Sequence, residues 1–70
     1  MKYRDLSKRL RELGCEQICD GAGSHRIWWN PAQDRYTTIP DWGAKDIRIG
    51  TVRRILRDLG LERSDFGPIK

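Results

Sequence analysis

Apolar residues at the start of the chain recur at helical spacing. Tyr3, Leu6, Leu10 and Leu13 fall on one helical face, and Arg4, Lys8, Arg9, Arg11 and Glu12 cover the remainder. Gly14 can take the left-handed conformation that ends a helix, so a helix is predicted over about residues 3–13. Cys15 to Asp20 alternates and reads as a short strand, and Gly21-Ala22-Gly23 reads as a turn. Ser24 to Asn30 is rich in β-formers. Alternation puts His25, Ile27 and Trp29 on one face and Ser24, Arg26 and Trp28 on the other. Asn30 to Asp34 is a second turn, and Tyr36 to Ile39 a third strand stopped by Pro40. Asp41 to Gly50 is a ten-residue loop with two glycines, of the length that often carries function. Val52, Ile55, Leu56 and Leu59 form a second helical stripe, and Gly60 ends it as Gly14 ends the first. Residues 62–70 read as a single turn or a loose tail, with Phe66 as an anchor.

The order helix, three strands, helix predicts an α+β fold, α-β-β-β-α. Short turns make the three-stranded sheet antiparallel, and two apolar stripes put both helices on one face of it. The other face stays open. This is the layout of a double-stranded RNA-binding domain, an analogy of fold that leaves function undecided. Residues 1–70 are expected to form a single domain with its core over about residues 2–61. At 70 residues and 8.2 kDa there is no room for an enzyme that closes two lobes on a substrate. The expected folded surface is about 4,500 Å².

Fourteen basic against ten acidic residues give a net charge of +4, which suits a polyanion and equally a solvated surface. The charge is uneven: residues 1–14 carry +3, residues 15–46 carry −2, and residues 47–70 carry +3. There is no run of 18 apolar residues to span a membrane and no basic-then-apolar start of a signal peptide, so a cytoplasmic protein is expected. Cys15 and Cys19, placed on one strand, would share a face roughly 13 Å apart, beyond disulfide reach. Both are expected to be reduced packing residues.

The carboxylates are dispersed, without the convergence that a two-metal site needs, and no cofactor or metal is expected. Ser24 and His25 point to opposite faces of a strand, which makes them a poor nucleophile–base couple. His25 itself is the one histidine, and histidine is the side chain whose unperturbed pKa lies near neutrality. Beside a phosphodiester, an imidazole could take the proton of a ribose 2′-hydroxyl. The oxygen would then attack phosphorus and leave a cyclic phosphate, without metal. Arg26, Arg35, Lys45 and Arg48 are candidates to stabilise the charge on phosphorus. Arg53, Arg54 and Arg57 could track phosphates or form a solvated helix face. Trp28, Trp29 and Trp42 could stack on bases, though core or partner packing explains them as well. Trp28 and Trp29 are adjacent, so one should face the helices and the other the open face.

Four stretches resemble the HicA toxin family, the small ribonuclease component of bacterial toxin–antitoxin pairs. They are the opening helix running into Leu13-Gly14-Cys15-Glu16, then Gly23-Ser24-His25-Arg26-Ile27-Trp28, then Ile39-Pro40. The last is Gly50-Thr51-Val52-Arg53-Arg54-Ile55-Leu56 with the exit Leu59-Gly60-Leu61. The resemblance covers about residues 2–61, and the order and spacing of the pieces carry it. It implies a double-stranded-RNA-binding-like fold, ribosome-independent cleavage of mRNA, and His25 as the catalytic residue. It also implies an antitoxin partner of the HicB type that covers the active surface. Two departures stand out. Asp41-Trp42 follows Pro40, where many relatives have a histidine, and Cys15 stands where an aromatic is common.

These readings lead to a metal-independent endoribonuclease toxin that uses His25, with Gly23, Ser24, Arg26, Arg35, Lys45, Arg48 and Arg53 contacting RNA. The alternatives are a non-catalytic RNA-binding module, which would bind RNA without cutting it, and a pure interaction protein, whose tryptophans would become buried only against a partner.

Overall fold

The computed structural model describes residues 1–20 and 23–69, except the side chain of Asp20. Gly21 and Ala22 of the expected turn, and Lys70, lie outside the described residues. The elements run α1 (Tyr3–Glu12), β1 (Glu16–Asp20), β2 (His25–Asn30), β3 (Arg35–Pro40), α2 (Ile49–Asp58) and α3 (Arg63–Phe66). The sheet is antiparallel in the order β1-β2-β3, so the fold is α+β with one open sheet. The chain exposes 4554 Å², close to the expectation from its mass.

Both long helices leave through the same device. Gly14 and Gly60 take φ values of 91° and 71°. That turn lets Cys15 N–H reach Leu10 O at 2.9 Å and Leu61 N–H reach Leu56 O at 2.8 Å, which satisfies carbonyls the helix ends would leave unpaired.

The sheet has a covered face and an open one. Trp28 and Ile39 point under the helices and meet Leu6 and Leu10 of α1 and Val52, Ile55, Leu56 and Leu59 of α2 in one cluster. Buried polar atoms there are paired. Trp28 Nε1 donates to Tyr3 Oη at 3.1 Å, and Tyr3 Oη donates to Gln17 Oε1 at 3.3 Å. Asn30 Nδ2 donates to Leu59 O at 2.7 Å and fastens the end of α2 to the β2–β3 turn. Thr37 Oγ1 and Arg54 both donate to Asp58 Oδ2 at 2.9 Å, which docks α2 on β3. Phe66 of α3 is buried beneath the Arg9 guanidinium, 5.2 Å from its ring centre. The segment 41–48 returns to α1, where Ile47 N–H donates to Met1 O and Lys2 bridges Asp46.

One expectation needs correction. The two cysteines do not share a face and are not both packing residues. Cys15 is buried just before β1, whereas Cys19 is exposed. An irregularity between Gln17 and Cys19 shifts the register, so that Cys19 pairs with Ile27 on the open side. Burial pushes the Cys15 thiol above its ordinary pKa. A maleimide should therefore modify one thiol, Cys19, in the folded protein and the second only on unfolding. Two fast-reacting thiols would contradict the assigned register.

Candidate active site

His25 opens β2. Gly23, at φ 61°, and Ser24 bring the chain into the strand, and the Cα of His25 lies opposite that of Pro40. The ring is on the open face and exposed, and among the described residues it has no hydrogen-bond partner. Its backbone is firmly held. Asp41 N–H donates to Ser24 O at 2.7 Å and so extends the β2–β3 pairing past Pro40. Arg26 points to the covered face, half buried. Its Nη1 donates to Gly23 O and to His25 O, each at 3.1 Å, and its Nη2 lies 3.7 Å from Asp41 Oδ2. The imidazole thus faces outward while the backbone that carries it is held at Gly23, Ser24 and His25.

Further along the open face come Ile27 and then Trp29, roughly 7 and 13 Å from His25 at strand spacing. Trp29 stacks on Tyr36 with ring centres 6.2 Å apart and planes 22° apart. Its Nε1 donates to Asp34 Oδ1 at 3.0 Å. Tyr36 is 54% exposed. Trp28, its neighbour in the chain, is fully buried, so the adjacent tryptophans divide between the two faces as alternation predicts.

The structure brings Gly23, Ser24, His25 and Arg26 together with Asp41. It does not bring Arg35 to them. Arg35 begins β3 opposite Asn30, at the far end of the hairpin, five residues from Pro40, roughly 16 Å at strand spacing. Its Nε donates to Asp58 O at 2.8 Å. Lys45 and Arg48 are exposed in the segment that leaves β3 beside His25. Arg53 is exposed on α2, in the helical layer, where it lines a depression with Arg57 and Arg63. Trp42 is 44% exposed in the loop after Asp41.

The chain order did not single out Lys2, Arg4 and Arg11. They line a groove of about 630 Å³ together with Arg26 and Asp41. The charge of +3 over residues 1–14 was the available signal. Among the described residues, no three His, Cys, Asp or Glu side chains gather where they could hold a metal ion.

A helical layer lies on one side of a short antiparallel sheet, and an exposed histidine at the start of β2 lies on the other, an α+β arrangement whose candidate site is on the surface rather than enclosed. The family model described as HicA toxin of bacterial toxin–antitoxin matches residues 3–61, and the chain belongs to the HicA toxin family. Membership makes it the toxin of a toxin–antitoxin pair, with a cognate antitoxin as its partner. Comparison with curated proteins and with solved structures finds no match. Among the described residues, no helix is long and apolar enough to cross a membrane.

Proposed function

We propose that the chain is an endoribonuclease that cleaves mRNA, with His25 as the proton-transfer group. The observation that carries this reading is the placement of His25: an exposed imidazole on an uncovered sheet face, at the start of a strand whose backbone is held by Arg26 and Asp41. An RNA strand lying on that face presents a ribose 2′-hydroxyl to the ring. His25 takes the hydroxyl proton, the 2′-oxygen bonds to the adjacent phosphorus, and the bond from phosphorus to the 5′-oxygen breaks. The leaving oxygen acquires a proton, from the imidazolium or from water. The products are a 2′,3′-cyclic phosphate and a 5′-hydroxyl, and no metal takes part. Gly23 and Ser24 let the backbone approach the strand closely, and Lys45 and Arg48 are exposed cations on the adjoining loop. The Trp29–Tyr36 pair offers a stacking surface for a base beyond the reacting one. The antitoxin, of HicB type, silences the enzyme by covering this same face.

Purified protein should cut a synthetic RNA in the presence of EDTA and leave 2′,3′-cyclic phosphate and 5′-hydroxyl ends. Salt-sensitive binding without cleavage at high protein would replace this reading with a non-catalytic RNA-binding module. Cleavage that stops with EDTA, or leaves 5′-phosphate ends, would remove the imidazole mechanism.

A further inference from the structure

We propose that the groove between α1 and the loop after β3 is a phosphate-binding track for RNA backbone outside the reacting linkage. This rests on the reading of the chain as an RNA-cleaving enzyme and adds to it a binding site on the other face of the sheet. Among the described residues, the groove is lined by four cations, Lys2, Arg4, Arg11 and Arg26, and by one carboxylate, Asp41, which pairs with Arg26.

Three features suit it to a polyanion. Arg4 and Arg11 are seven residues apart on α1, so they form one stripe over roughly 10.5 Å of helix, with Lys2 just beyond it. A stripe of separated cations matches a ligand whose negative charge repeats along its length. The Arg11 guanidinium sits 5.1 Å above the Trp28 ring, at the seam between α1 and the sheet. A guanidinium placed by an aromatic face loses less freedom on binding an anion than one that is free in water. Arg26 joins the groove to the catalytic turn, because the same guanidinium that lines it bonds the carbonyls of Gly23 and His25. One flexible strand passing round that end of the sheet reaches both the groove and the imidazole. An acidic protein segment would meet the same charges, but the continuity with the His25 turn favours the nucleic acid.

The test measures binding of a fluorescein-labelled single-stranded RNA to His25→Ala protein, which leaves the RNA intact, across a range of salt. In that background Arg4→Gln with Arg11→Gln should weaken binding at least ten-fold and flatten the log–log salt slope by about 1.4, about 0.7 per cation removed. Arg4→Gln alone, which leaves the Arg11–Trp28 contact in place, should flatten it by about 0.7. Asp41→Asn should act in the opposite sense and tighten binding, which a purely structural role for these residues would not produce. Arg63→Gln, on α3 away from the groove, should leave the slope unchanged, and Arg53→Gln with Arg57→Gln tests the rival track on α2.

If the α1 variants bind as the parent does while the α2 variants weaken, the track is on α2 and this proposal fails, although the nuclease reading stands. If the α1 variants keep RNA but lose the antitoxin, the groove is a protein interface and the proposal fails again. If the parent binds no RNA and the wild type cuts none, both readings fall together.

Discussion

His25→Ala should leave a folded protein that no longer arrests growth or shortens RNA half-life when induced. The ring is exposed, outside the apolar cluster, and among the described residues it has no hydrogen-bond partner, so its removal opens no cavity and orphans no polar group. Surface changes of that kind are usually worth within about 0.5 kcal/mol of stability. Chemistry is affected quite differently. A positioned general base supplies on the order of 10²–10⁴ in rate, or roughly 3–5 kcal/mol of barrier. No second imidazole exists in the chain to replace it. Cleavage of a labelled RNA and the denaturation midpoint should be measured on the same preparation. An unchanged midpoint with at least a hundred-fold loss of rate is expected. An unchanged rate would remove His25 from the mechanism, and a collapsed midpoint would make the ring a structural group.

The helices were legible because their apolar residues repeat. Leu6 and Leu10 lie at the centre of the α1 stripe and are fully buried, and Val52, Ile55, Leu56 and Leu59 do the same for α2. Boundaries were less legible where burial does not mark them. α2 begins at Ile49, three residues before the first residue of its stripe, because its opening turn holds exposed Ile49 and Gly50. Alternation separated Trp28 from Trp29 correctly on β2, which runs without irregularity against β3. It failed on β1, where the register shift lies between Gln17 and Cys19.

The site divides along the same line. Gly23, Ser24, His25 and Arg26 are consecutive, so their proximity is local and could be read from the chain. The groove on α1 needs the loop after β3 to fold back until Asp41 and Gly43 face Lys2 and Arg4, a long-range closure that no local pattern encodes. Arg35 shows the converse. Being basic and close in sequence made it a candidate, but hairpin geometry carries it to the opposite end and into a bond with α2.

Trp28→Ala should abolish toxicity for the opposite reason, by unfolding the chain. Its side chain is fully buried, reaches both α1 and the sheet, and donates to the Tyr3 hydroxyl. Truncating a buried tryptophan costs about 3–5 kcal/mol. A chain of this size has roughly 3.5–10 kcal/mol in total, so most or all of the margin would be lost. Trp29→Ala, one residue along, removes a half-buried ring from the open face and should leave the fold intact while weakening RNA or antitoxin binding. The measurement is urea denaturation followed by far-ultraviolet circular dichroism, since indole fluorescence would itself change with the substitution. Trp28→Phe keeps most of the apolar volume and should recover most of the midpoint. If Trp28→Ala unfolds at the same urea concentration as the wild type, the inward assignment of β2 is wrong. His25, three residues earlier and of opposite parity, would then turn with it under the helices, and the surface site would be lost.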